Sequence, residues 1–289
     1  MYKLFFDSDS DVTLEVAKKY NATLISMPYA LNGEEVSPYK DWKVFDAHTF
    51  YDALRKGDAN PTTSALNERE YIEYFEPVLK EGKDILYVHF SRQMSATFNS
   101  CDAAIKTLLA QYPERRIQLI DTKAISISAL LTCIRIGELV NEGKSIDEIV
   151  AVSEDISMTS SVYFYADNLK FFARSGRVSG FSAFMGGMIG VKPIIYMSSE
   201  GKMVSIDSAI GRRKALDKIL GYVEKKQDDF KKYPVLIAHA DSLALADEFV
   251  AKLKEKFGEF EYTVVDVNPT AGCHCGPDVI GIAFHGKER

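Results

Sequence analysis

The run from Ile85 to Ser100 constrains the fold more than any other part of this sequence. Its first six residues, Ile85-Leu86-Tyr87-Val88-His89-Phe90, are rich in apolar, β-branched and aromatic side chains, the composition of a buried strand. The strand breaks at Ser91 into a short hydroxyl-bearing segment, Ser91 to Thr97. Phe98, Cys101, Ile105 and Leu108 then recur at helical spacing. Strand, hydroxyl turn, helix is the place in an α/β fold where backbone N–H groups converge on an anion. Ser95 and Thr97 would add hydroxyl donors at the helix mouth. A plainer assignment makes Ser95 a helix N-cap and Thr97 an ordinary first-turn residue. The stretch alone leaves both open.

The flanking sequence extends the alternation. Strands are expected at 3–6, 22–30 and 116–121, and helices at 13–20, 47–56, 68–81, 126–142 and 145–157. Loops fall at 7–11, where several acidic and hydroxyl side chains can cap the helix that follows, and at 60–64. Ser64 or Asn67 caps the helix starting at 68, and Asn32-Gly33-Glu34-Glu35 makes a turn with a hairpin in reach. Strands alternating with helices predict a parallel sheet flanked by helices. After about residue 158 the pattern changes. A strand at 161–166 and a short helix at 169–173 lead to the sharp turn Ser175-Gly176-Arg177, then to the apolar, glycine-rich stretch 182–190. Strands at 191–197 and 202–208 form a hairpin, and strands at 234–240, 262–267 and 279–284 alternate with helices at 212–227 and 243–257. This half predicts a mixed sheet with helices on one face. The fold class is α/β in two domains: 1–158, a three-layer domain on a parallel sheet, and 159–289, an α/β domain on a mixed sheet.

Composition excludes several classes. A net charge of −6 with no basic tail or stripe argues against nucleic acid. The longest apolar stretch, 125–140, contains Arg135 and Glu138 and is too short to span a bilayer. The N-terminus passes directly into a short apolar strand and then acidic residues, unlike a signal peptide, so a cytoplasmic location is expected. Of the four cysteines, Cys101 and Cys133 lie in apolar helical contexts, whereas Cys273 and Cys275 flank His274. That run lacks the second cysteine or histidine pair of a zinc site, so neither a metal nor a cofactor is expected. Asp7, Asp9 and Asp11 have the odd-position spacing of a calcium loop without its glycine and distal glutamate. No phosphate-binding loop, dinucleotide fingerprint or nucleophile elbow occurs.

Four stretches place polar groups where strands meet loops or helices: Thr62-Thr63-Ser64, Ser91 to Thr97, Ser175-Gly176-Arg177, and Gly272 to Gly276 with His274. Hydroxyl and backbone donors with Arg or protonated His suit a carboxylate or phosphate. Each stretch also has a structural explanation: a capping turn, a solvated arginine, a structural histidine. Arg212, Arg213 and Lys214 form a basic cluster that is either a solvated face or a docking patch.

The same stretches, in the same order, resemble the DegV family of bacterial fatty-acid-binding proteins, the acyl-carrying subunits of fatty acid kinase. The early D-S/D-S-D strand end is matched by Asp7-Ser8-Asp9-Ser10, the T-S motif by Thr63-Ser64, and the S-x-x-x-S-G-T segment by Ser91 to Thr97. Further on, I-D-S is matched by Ile120-Asp121-Thr122, L-x-x-G-R-I-S by Phe172 to Ser179, K-P-I by Lys192-Pro193-Ile194, and H-x-G-P-G by His274 to Asp278. The resemblance implies two α/β domains and an apolar tunnel for one long-chain fatty acid. Thr63, Ser64, Ser95 and Ala96 would lie around its carboxylate, with Arg177 and His274 in the surrounding polar network. It also implies a partner, the catalytic subunit of fatty acid kinase, which phosphorylates that carboxylate; the present chain would be a binding subunit, not an enzyme, with no membrane span and at most transient membrane contact. Aromatic and methionine side chains suit a shaped apolar cavity and a plain core equally. The alternative is a stand-alone hydrolase or phosphotransferase using Cys273 or His274. The sequence departs from the family at Ala96, which replaces a glycine, at Ala65-Leu66, which replace Gln-Pro, and at Asp278, which replaces a glycine. A carboxylate at 278 would repel a fatty carboxylate unless it points away or is paired.

Overall fold

The computed structural model describes residues 1–40, 43, 45–179 and 190–289. The glycine-rich stretch at 182–190 lies, apart from Gly190, outside the described residues. In chain order the first half comprises β1 (Tyr2–Asp7), a 3-10 turn (Ser8–Ser10), α1 (Leu14–Lys19), β2 (Thr23–Ile25), β3 (Tyr29–Leu31), β4 (Glu34–Val36) and α2 (Ala47–Lys56). It continues with β5 (Pro61–Thr63), α3 (Glu68–Lys80), β6 (Asp84–His89), α4 (Thr97–Gln111), β7 (Ile117–Asp121), α5 (Ile127–Asn141) and α6 (Ile146–Thr159). The second half holds β8 (Ser160–Tyr165), α7 (Leu169–Ser175), β9 (Val178–Ser179), β10 (Val191–Met197), β11 (Met203–Ile210) and α8 (Arg212–Lys226). It closes with β12 (Val235–His239), α9 (Leu243–Phe257), β13 (Tyr262–Asp266), α10 (Pro269–Cys275) and β14 (Ile280–His285).

The first sheet has the order β2-β1-β6-β7, and every pairing in it is parallel. The second is a seven-stranded mixed sheet of order β13-β12-β14-β8-β10-β11-β9. The expected hairpin is β10–β11, with a register shift at Ile194/Ile195. A third, antiparallel sheet of order β4-β3-β5 was not expected as such. It forms because the 22–30 segment is two strands rather than one. Pro28 has no N–H to continue a ladder. The N–H groups of Ser26 and Met27 turn instead to Tyr74 Oη (3.1 Å) and Ser8 Oγ (2.8 Å). Past that break β3 pairs with β4, the anticipated hairpin, and with residues 61–63, expected to be loop. Pro61 opens an edge strand, where a missing donor costs nothing.

Of the two cap candidates for α3, Asn67 takes the role, in a reciprocal box with Glu70. The acidic 7–11 segment leaves α1 to Thr13, whose hydroxyl accepts from Val16 N at 3.2 Å; Asp7 caps the 3-10 turn through Ser10 N at 3.0 Å.

The mixed sheet alternates strictly between two cores. Tyr163, Tyr165, Ile194, Ile237 and Ile282 face α8 and α9 in one cluster, while Val162, Ile195, Leu236, Ala238 and Ala283 join the other. The second cluster runs on into the parallel sheet and its helices. The two long helices of the second half, α8 and α9, thus cover one face as expected, while the short α7 and α10 pack into the other cluster. The opposite face is covered from the first half by α5, which lies against β8, β12 and β14. That shared core is where the site forms.

Candidate functional site

A cavity lies between the carboxyl ends of the parallel strands and the inner face of the mixed sheet. Asp9 follows β1, Phe90 and Ser95 follow β6, and Ser126 follows β7; all line it. Across from them stand Val162, Phe164, Ala238 and Gly281 of the mixed sheet, with Met27, Met94, Met197 and Met203 around the wall. The space between the wall atoms of this slot, counting its mouth, is about 970 Å³.

Thr63, Ser64, Ser95, Arg177 and His274 are among the residues that line this slot. Thr63 ends β5 and is held by pairing with Tyr29 in β3, so the unforeseen small sheet is what carries it. Its Oγ1 lies 3.1 Å from His274 Nε2. His274 sits on α10, expected as a turn and observed as a short helix; Asn268 caps it and Pro269 takes its first position. Asp11 fixes that cap, accepting from Asn268 N (2.9 Å) and Nδ2 (2.6 Å). At the other end Gly276 has φ +73°, and a Cβ there would meet Phe171 at 2.3 Å. Burial first, then the charges of Arg177 and Arg174, push the His274 imidazole down to about 4. At neutral pH it is uncharged and can donate or accept.

Arg177 follows the C-cap Gly176 of α7, and its Nη1 donates to Ser175 O at 2.6 Å. The fork keeps further N–H groups for a ligand. Ser95 is half-buried, and its Oγ accepts from Thr97 N at 3.2 Å. Ser64 is exposed and donates to Glu35 Oε2 at 2.7 Å. Ala96 is exposed, does not line the cavity and is itself the N-cap residue of α4, a role expected of Ser95. Its φ of −74° and ψ of −3° are right-handed, so no glycine is needed there. Asp278 is paired and outside the lining: it accepts from Arg55 at 2.8 Å, from Arg212 at 3.0 Å and from Ser242. Its φ of +63° is one that aspartate tolerates better than most side chains. The same network draws Arg212 out of the proposed basic cluster.

Thr97 is wholly buried and serves structure as well as lining: Oγ1 accepts from Leu66 N at 3.1 Å and meets Tyr71 Oη at 3.1 Å. Ser91 is a tether. Its Oγ donates to Gly201 O at 2.7 Å, and Gly201 (φ +84°) leaves no room for a Cβ, which would fall 2.4 Å from that oxygen. Cys273 is buried, and burial pushes its thiol up to about 12. A thiol in that state is a poor nucleophile.

Asp9 is the lining residue that motif reasoning missed. It is 5% exposed, and its Oδ1 is buried with no hydrogen-bond partner among the described residues. The spacing of Asp7, Asp9 and Asp11 draws attention to the segment as capping or cation-binding, not as a cavity wall.

A family model described as "Uncharacterised protein, DegV family" matches residues 1–287. A DegV domain-containing protein of Clostridium perfringens is 28% identical over 288 residues, covering 100% of this chain and 98% of the relative. Among solved structures, a DegV lipid binding protein from Thermotoga maritima superposes with a TM-score of 0.85 at 20% identity over 100% of both chains. A DegV family protein from Thermus thermophilus, described for its fatty acid binding, gives 0.84 at 24% identity, covering 98% of this chain and 99% of that one. The ordered motifs, the parallel and mixed sheets and the whole-length match agree: the chain belongs to the DegV family.

Proposed function

We propose that this chain binds one long-chain fatty acid in the slot and presents its carboxylate to a partner kinase. The observation that carries the reading is the lining of the cavity: mostly apolar side chains, four methionines among them, together with Thr63, Ser64, Ser95, Arg177 and His274, of which Thr63 and His274 meet at 3.1 Å. Burial of the chain gains roughly 0.8 kcal/mol per CH₂. A neutral hydrogen bond gives a net of about 1 kcal/mol. The slot therefore sets affinity, and the polar residues set orientation. The fatty acid binding described for the Thermus thermophilus relative supports the ligand class.

In the proposed reaction a carboxylate oxygen bonds to the γ-phosphorus of ATP as the bond to ADP breaks, giving an acyl phosphate. The nucleotide site belongs to the partner, since this sequence has no phosphate-binding loop. A cytoplasmic place for the pair follows from the nucleotide. No helix among the described residues is long and apolar enough to cross a membrane. The proposed division into domains at residues 158 and 159 follows the change from the parallel to the mixed sheet. The test is reconstitution: ATP and fatty acid should give acyl phosphate only when a fatty acid kinase subunit is added. Turnover by this chain alone would restore the enzyme reading.

A further inference from the structure

Asp11 is 3% exposed and does not itself line the cavity, yet its two carboxylate oxygens reach two elements that do. Oδ1 accepts from Asn268 N at 2.9 Å and from Asn268 Nδ2 at 2.6 Å, and Oδ2 accepts from Ser126 Oγ. Asn268 caps α10 by accepting from Ala271 N at 2.8 Å, and α10 carries His274. Ser126 lines the slot where β7 gives way to α5. One buried carboxylate thus joins the helix that bears a head-group residue to a piece of the slot wall.

The Ser126 link is held under strain. Its φ of +56° and ψ of −140° are values that residues other than glycine rarely adopt, and such backbone persists only where its surroundings over-determine it. Ser126 N donates to Asp9 O at 2.8 Å and its hydroxyl is committed to Asp11, so α5 starts without a side-chain cap. Burial raises the Asp11 carboxyl to about 6 even though Ser126 and Asn268 donate to it; at neutral pH it is ionised and both oxygens accept. Thr63, the partner of His274, is held separately, by pairing with β3. Their 3.1 Å contact therefore needs two supports to agree, and a shift of about 1 Å in α10 takes it beyond hydrogen-bond reach.

We propose that Asp11 is a positioning residue for the head group: through Asn268 it sets where α10 holds His274 against Thr63, and through Ser126 it sets the slot wall at the end of β7. It lines no part of the slot, so it acts on a ligand only through those two residues. The inference rests on the fatty-acid reading above and deepens it. Acyl-chain affinity comes from the apolar wall and changes little without Asp11, whereas delivery of the carboxylate depends on it.

The experiment compares wild type with Asp11→Ala in three measurements: calorimetric titration of delipidated protein with stearate, acyl phosphate formed with ATP and a fatty acid kinase subunit, and NMR titration of the His274 ring, assigned by its loss in His274→Ala. In Asp11→Ala the stearate affinity should stay within about threefold, while the rate at saturating stearate falls at least about tenfold, the scale of a misplaced reacting group. The His274 midpoint should rise from about 4 toward the roughly 6.5 of an exposed imidazole as α10 loosens. Asp11→Asn, which keeps one acceptor oxygen for Asn268, should recover most of the rate and the low midpoint. If the alanine variant is poorly folded, Asn268→Ser carries the test: serine still caps α10 but lacks the Nδ2 that bonds Asp11, and the same pattern is expected. An unchanged rate and midpoint, or an equal loss of affinity and rate, overturns the proposal while leaving the fatty-acid reading intact. Wild type that binds stearate but yields no acyl phosphate overturns presentation to the kinase, and the His274 midpoint still decides the role of Asp11. Failure of wild type to bind stearate overturns both readings.

Discussion

Ala238 and Gly281 are direct cross-strand partners in β12 and β14, and both line the cavity. The mixed sheet thus puts its smallest side chains where an acyl chain would lie. Gly281 cannot be enlarged, because a Cβ there would meet Phe164 Cβ at 2.9 Å. Ala238 can. Ala238→Leu adds three carbons to the floor of the slot and displaces about three methylenes of ligand, worth about 2.4 kcal/mol at roughly 0.8 kcal/mol each. The dissociation constant for stearate should rise about 60-fold. The free protein should keep or gain stability, since the three added carbons fill open space and remove a cavity term. Calorimetric titration and thermal unfolding of delipidated protein read the two effects separately. An unchanged affinity, with a melting temperature lowered by the several degrees that overpacking a closed core costs, would show that this space is ordinary packing and refute the reasoning.

The polar residues make further predictions. Ser95→Ala and His274→Ala should keep the fold and most of the chain affinity but impair partner-dependent phosphorylation, measured as acyl phosphate formed; equal loss of both would mark a structural role. Thr63→Val and His274→Ala should be non-additive in that assay, because the two side chains meet at 3.1 Å. The His274 imidazole, pushed down to about 4 by burial and then by Arg177 and Arg174, contributes stability that is present above its unfolded value near 6.5 and is lost as pH falls through about 4. Arg177→Gln should move its titration upward, as seen by NMR of the ring protons; an unmoved midpoint would contradict the electrostatic account.

The parallel half of the fold was legible because buried strands and amphipathic helices carry strong periodic signals, and Asn67-x-x-Glu70 announces the start of α3. The three-stranded sheet was not. Its strands have three residues each, too few for a period, and its pairing of 61–63 with 29–31 is a long-range choice that no local pattern encodes. Pro28 was the readable clue that 22–30 could not be one strand. Asn268-Pro269 likewise announced α10, but the helix is so short that the glycines around His274 read as a turn. Of the candidate head-group residues, Thr63, Ser64, Ser95, Arg177 and His274 line one cavity, whereas Ala96 does not. Asp9 stayed hidden because an acid after a strand is ordinarily a cap; only the packing of the two sheets places it in the lining of the cavity.

The account's central claim is that the slot exists to hold an acyl chain. Mass spectrometry of the protein purified from a bacterial host, compared under native and denaturing conditions, tests it most directly. The account predicts one long-chain fatty acid per chain in the native protein, released on denaturation. It is contradicted if no acyl species is released and delipidated protein takes up neither added palmitate nor oleate.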